Sequence, residues 1–106
     1  MPKEFLIKIK CSVFLMMAIF FANVFAQEKT ASIKSGEIIY AKNCSTCHGN
    51  RMKNPQWGIN LELFPVEQKI RFIDSVTYGK NAMPPWEDVL STDEIANIWS
   101  YFLSLR

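Results

Sequence analysis

Cys44-Ser45-Thr46-Cys47-His48 brings two thiols and an imidazole together within five residues. On a helical turn, positions i, i+3 and i+4 share one face. Two thiols so placed suit thioether bonds to the two vinyl groups on one edge of a haem, with the imidazole reaching the iron from the same side. For that reason the spacing Cys-x-x-Cys-His reads as a c-type haem attachment site. Three rival chemistries fit less well. Structural zinc takes four ligands, usually from two Cys-rich pairs, and these residues offer three. A thioredoxin-like dithiol belongs at a strand-to-helix junction, whereas no strand pattern is visible. A disulfide between Cys44 and Cys47 would be strained and would leave His48 without a role.

His48 is the only histidine among the 106 residues, so one copy of the chain cannot give an iron two imidazoles. Met52 and Met83 are the candidate sulfur ligands. Met52 follows His48 by four residues, on the same side of the ring, and reads as a loop or core residue. Met83 comes 35 residues after His48 and precedes Pro84-Pro85, which stiffen the loop and hold a thioether at fixed depth. Its competing reading is flexible core filler.

The elements that must position these groups begin after an apparent leader. Lys3, Lys8 and Lys10 precede an apolar run from Cys11 to Phe25, and Val24-Phe25-Ala26 places small residues at the cleavage-recognition positions. This is the pattern of a secretory signal peptide over residues 1–26. The apolar run is shorter than the ~20 residues of a spanning helix, so no stable membrane span is expected after cleavage. Cys11 lacks the context of a lipid-attachment site. A periplasmic or otherwise exported location is expected. Of 12 basic and 10 acidic residues, the leader holds Lys3, Lys8, Lys10 and Glu4, leaving nine of each sign. A neutral domain gives no support to nucleic-acid binding, nor to strong electrostatic steering.

The remaining domain, residues 27–106, reads as all-α. Gln27–Ala31 is expected to fray, and a first helix runs from about Ile33 to Asn43. Gly36 inside it costs roughly 1 kcal/mol against Ala, which implies close approach of another backbone or a ring. Gly49–Leu63 reads as loop. A second helix is predicted from Pro65 to the Gly79 stop, with Val66, Ile70, Ile73 and Thr77 on one face, widened by Phe72 and Val76. Lys80–Leu90 is irregular because of Pro84-Pro85. Ser91 and Glu94 form a capping box, and behind it Ile95, Ile98, Trp99, Phe102 and Leu105 follow the helical period. A core this small commonly needs an extra stabilising element, which a large apolar cofactor would supply.

Cys44-Ser45-Thr46-Cys47-His48, Gly79-Lys80-Asn81-Ala82-Met83-Pro84 and the capped last helix together resemble a class I monohaem cytochrome c, over about Ser35 to Leu105. The resemblance implies a small cytochrome c fold of three to four short helices around one covalent haem c. It implies thioethers at Cys44 and Cys47, His48 as proximal and Met83 as distal iron ligand. It also implies that the first and last helices cross at Gly36 and Tyr40, against Tyr101 with Trp99 nearby. Where the family often has Gly-Pro-x-Leu, with the Pro carbonyl accepting from the proximal imidazole, this chain has Gly58-Ile59-Asn60-Leu61. The Ile59 carbonyl is the corresponding acceptor. Trp57 and Trp86 are candidate donors to a haem propionate, and otherwise packing residues.

An iron held by His48 and Met83 has no open site, so the expected role is one-electron transfer rather than catalysis. The implied partners are redox proteins: a dehydrogenase as donor and an oxidase or other protein as acceptor. Met83-Pro84-Pro85-Trp86 with Asp88-Val89-Leu90-Ser91 is also similar to haem domains serving periplasmic dehydrogenases, including quinoprotein types. That makes a fixed electron-transfer subunit the alternative, with a ligand-sensing haem protein a more distant one.

Overall fold

The computed structural model describes residues 2–106. Four helices account for the regular structure: α1 (Pro2–Asn43), α2 (Ser45–His48), α3 (Lys69–Tyr78) and α4 (Thr92–Ser104). Two short 3₁₀ turns, Asn50–Met52 and Leu61–Leu63, lie between α2 and α3. Among the described residues there is no strand, only an isolated antiparallel bridge between Lys80 and Met83. The fold is all-α and small, as the sequence implies. The chain divides into two units, Met1–Thr30 and Ala31–Arg106.

In the first unit, α1 carries an 18-residue window of mean hydropathy 2.1, none of it buried. By length and composition this helix is able to cross a membrane. The expected fraying at Gln27–Ala31 is not found. Gln, Glu, Lys and Ala are good helix formers, and neither Gly nor Pro occurs between them to break the hydrogen-bond ladder. The first helix is therefore not short, although it ends at Asn43 as its pattern indicates.

In the second unit, α1 and α4 meet at Gly36. A methyl group built on Gly36 would stand 1.9 Å from the Asn97 carbonyl oxygen. Only a residue without a side chain permits this approach, which accounts for the costly mid-helix glycine. Asn97 Nδ2 donates to Ser35 Oγ at 3.3 Å beside the contact. One turn further, the Tyr40 and Tyr101 rings pack with centroids 5.6 Å apart. The crossing places Tyr40 so that its hydroxyl donates to the Gly49 carbonyl at 2.6 Å, immediately beyond the attachment motif.

The capping box forms as written. Glu94 N donates to Ser91 Oγ at 3.1 Å and Ser91 N donates to Glu94 Oε1 at 3.0 Å. Helix α4 then buries Ile95, Ile98, Trp99, Tyr101 and Phe102. Leu105 is half-buried and packs against this core.

Helix α3 departs from expectation in two ways. It begins at Lys69, not Pro65, because the chain first closes a turn in which Gln68 N donates to the Pro65 carbonyl at 3.2 Å. Its buried face is centred on Phe72 and Val76, while Ile70 is 77% exposed and Val66 also lies at the surface. The aromatic residues set this rotation. Phe72 lies 5.0 Å from the Trp99 ring, 5.2 Å from Phe102 and 5.7 Å from Phe64. Large rings bury more apolar area than Val or Ile and gain from edge contacts, so they outrank the aliphatic stripe.

Gly36→Ala is expected to force α1 and α4 apart and lower stability by about 2 kcal/mol, the usual scale for overpacking. Thermal unfolding checks this, and an unchanged midpoint would contradict the crossing described.

Candidate haem-attachment site

Helix α2 is a single turn, and it brings Cys44, Cys47 and His48 together. The Cys44 carbonyl accepts from Cys47 N at 3.2 Å and from His48 N at 3.0 Å. The turn follows directly from α1, since Cys44 N donates to the Tyr40 carbonyl at 2.8 Å. Both cysteines are free thiols. Cys47 is exposed and Cys44 half-buried. Burial, with a smaller contribution from Cys47 beside it, pushes the Cys44 thiol up to about 11. Two reduced sulfurs on one turn are available for bonds to carbon. Among the described residues, no group of three or more His, Cys, Asp or Glu converges as a metal-ion site.

The loop after α2 folds back over His48. The Cys47 carbonyl accepts from the amides of Gln56, Trp57 and Gly58 at 3.0, 3.3 and 3.2 Å. This convergence draws Gly58 so close that a Cβ there would lie 2.5 Å from both Nδ1 and Cε1 of the imidazole. One residue on, the Ile59 carbonyl lies 3.1 Å from His48 Nδ1. A carbonyl oxygen can only accept, so this contact needs the proton on Nδ1, and in the neutral imidazole Nε2 then keeps its lone pair. A ring nitrogen fixed in this way is the usual support of a metal-binding imidazole. The replacement of Pro by Ile59 therefore leaves the carbonyl in place.

Met83 comes from a different element, and no hydrogen bond joins it to His48. It closes a tight turn in which Lys80 N donates to the Met83 carbonyl at 3.0 Å and Met83 N donates to the Lys80 carbonyl at 2.9 Å. The turn follows Gly79, whose φ of 78° lies in the left-handed region. Beyond Pro84-Pro85, Trp86 N donates to the Val76 carbonyl at 3.0 Å and fastens the loop to α3. Met83 is half-buried against the core, and Met52 is fully buried within it. Trp86 packs against the core, whereas Trp57 is 83% exposed. Trp57 and Ile59, on either side of Gly58 in the sequence, are both exposed.

The residues present fit a haem. Two free thiols share a turn with an imidazole whose Nδ1 is held by a carbonyl, and Gly58 leaves room for the ring. Gly58 and the Tyr40 hydroxyl are parts of this arrangement that pattern reading did not single out for their roles. Their signal was indirect: Gly58 reads only as the first residue of the Gly58-Ile59-Asn60-Leu61 match, and Tyr40 only as a ring at the helix crossing.

A family model described as cytochrome c oxidase, cbb3-type, subunit III matches residues 31–102. The chain belongs to this family of c-type cytochromes, a haem-binding, electron-transfer class. Within that class its similarity is to small monohaem proteins of class I. It is 31% identical to cytochrome c6 of Gracilaria tenuistipitata var. liui over 86% of this chain and 89% of the relative. Cytochrome c6 of Pyropia yezoensis is 33% identical over 92% and 94%. That of Euglena gracilis is 37% identical over 62% and 84%. No solved structure matches significantly.

Gly58→Ala is expected to turn the His48 ring and break its hydrogen bond to Ile59. A crystal structure of the variant reads this directly, and an unmoved His48–Ile59 contact would contradict the packing described.

Proposed function

We propose that the chain is an exported monohaem c-type cytochrome that carries single electrons between redox proteins, with residues 1–26 as a removed leader and residues 27–106 as the haem domain. The observation that carries this reading is the α2 turn, where two free thiols adjoin an imidazole whose Nδ1 is already committed to Ile59. Cys44 and Cys47 would hold the haem through thioethers, and His48 Nε2 and the Met83 sulfur would be the iron ligands. When bound, the haem iron supplies a one-electron ferric/ferrous couple, and a thioether ligand favours the ferrous form.

The protein's own residues perform the rest. The Ile59 carbonyl fixes the orientation of the His48 ring, so little rearrangement accompanies a change of charge. The Lys80–Met83 turn, held by its paired hydrogen bonds and by the prolines after it, keeps the Met83 side chain at a set depth. Were His48 Nε2 and the Met83 sulfur both given to the iron, no open site would remain for a substrate, and the role would be transport rather than turnover. The named relatives, all cytochromes c6, support this reading. Partners are proteins: a dehydrogenase or similar donor and an oxidase or other acceptor.

A second reading makes the domain a relay fixed within a larger oxidoreductase. The description of the matching family, an oxidase subunit, favours it, as does the local likeness of Met83–Trp86 to the haem domains of dehydrogenases. Native mass of the protein from its own cell separates the two, since a stable complex indicates the relay.

Met83→Ala in the haem-loaded protein is expected to abolish the weak near-infrared band of ferric iron bonded to a thioether and to lower the potential. Met52→Ala is expected to keep the band. The opposite result would overturn the ligand assignment.

A further inference from the structure

The His48–Ile59 hydrogen bond is only as steady as the backbone that presents the carbonyl. That backbone runs from Ile59 into the Leu61–Leu63 turn and on to Phe64. At its start, the Asn60 side chain accepts from Glu62 N at 3.0 Å. Within it, Leu63 N and Phe64 N donate to the carbonyls of Asn60 and Leu61, each at 3.1 Å. The end of such a turn leaves carbonyls without intrahelical donors. Three residues beyond Glu62 stands Pro65, which has no N–H to give.

Arg106 supplies donors to the carbonyls at this end, a second one in the case of Leu61, whose oxygen already accepts from Phe64 N. Its guanidinium donates to the carbonyls of Leu61 at 2.6 Å and Phe64 at 2.7 Å, and also to that of Glu62. The group lies 4.5 Å over the ring of Phe102, itself buried in the core. A planar fork with five donors is suited to gathering several carbonyls at once, while an ammonium acts as a single point charge. Leu61 and Phe64 are buried on the same core, so the segment is fastened by side chains on one side and by Arg106 on the other.

We infer that Arg106 is a positioning residue for the haem ligand: by gathering the Leu61, Glu62 and Phe64 carbonyls, it holds the Ile59 carbonyl on His48 Nδ1. The inference rests on the reading that His48 binds the iron. With Arg106 in place, residues 59–64 open rarely and the Nδ1 proton stays in its hydrogen bond. Without it, the segment opens locally and the proton exchanges with water.

The test uses the reduced holoprotein, with exchange of the His48 Nδ1 proton followed by NMR and global stability followed by thermal unfolding. Ser91→Ala is the control, because it weakens the α4 cap at a site away from this segment. Arg106→Ala is expected to speed exchange about tenfold, the scale of one charge-assisted hydrogen bond. Arg106→Lys is expected to fall between Arg106→Ala and the native protein, and Ser91→Ala to exchange at the native rate. If Arg106→Ala exchanges no faster than Ser91→Ala, Arg106 is merely structural and the inference fails. A His48→Ala protein that keeps the native visible spectrum would instead remove the ligand reading beneath it, whatever Arg106→Ala does.

Discussion

The site depends on one hydrogen bond, from His48 Nδ1 to the Ile59 carbonyl. It decides the tautomer of the only imidazole in the chain and leaves Nε2 as the nitrogen free to bind a metal. Much of the local backbone serves that bond. The Cys47 carbonyl gathers three amides from the returning loop, and Gly58 lets the loop pass against the ring. A side chain at Gly58 would occupy space that the imidazole needs. The bond therefore follows from backbone accounting and from an absent side chain, not from any polar residue placed to make it.

Behind the site, packing and function share the same residues. The contact of Gly36 with Asn97 brings α1 against α4 and delivers Tyr40 to the Gly49 carbonyl, one residue after His48. The aromatic cluster of Phe64, Phe72, Trp99 and Phe102 sets how α3 lies on α4. Through the Val76 carbonyl, α3 in turn holds the loop carrying Met83. Both candidate axial residues are thus tied to the core by short backbone links rather than by long side chains. Such links resist movement when the charge at the site changes, which suits rapid electron exchange.

Much of this was legible in the sequence. The Cys-x-x-Cys-His spacing needs no tertiary information, since one helical turn suffices to align it. Ser91 and Glu94 announced the start of α4, and Gly36 announced a helix crossing because nothing else explains its cost. What escaped was decided by competition at a distance. The period of Val66, Ile70 and Ile73 describes a plausible helix face, but it contains no information about where Phe64, Trp99 and Phe102 lie. Once those rings cluster, α3 must turn to Phe72, and Ile70 is left outside. Arg106 was invisible for a similar reason. An arginine gives no sequence signal when its partners are backbone carbonyls some forty residues away. Polarity at residues 27–31 suggests fraying, yet α1 continues through them because Gln27, Glu28, Lys29 and Ala31 favour helix.

The central claim is that a haem is joined covalently to Cys44 and Cys47 in the exported protein. Intact mass of the denatured protein, made in a host able to attach haem, tests it most directly. One haem added to the polypeptide, retained through denaturation and lost when both cysteines are replaced, is the expected result. A mass equal to that of the bare polypeptide would contradict it.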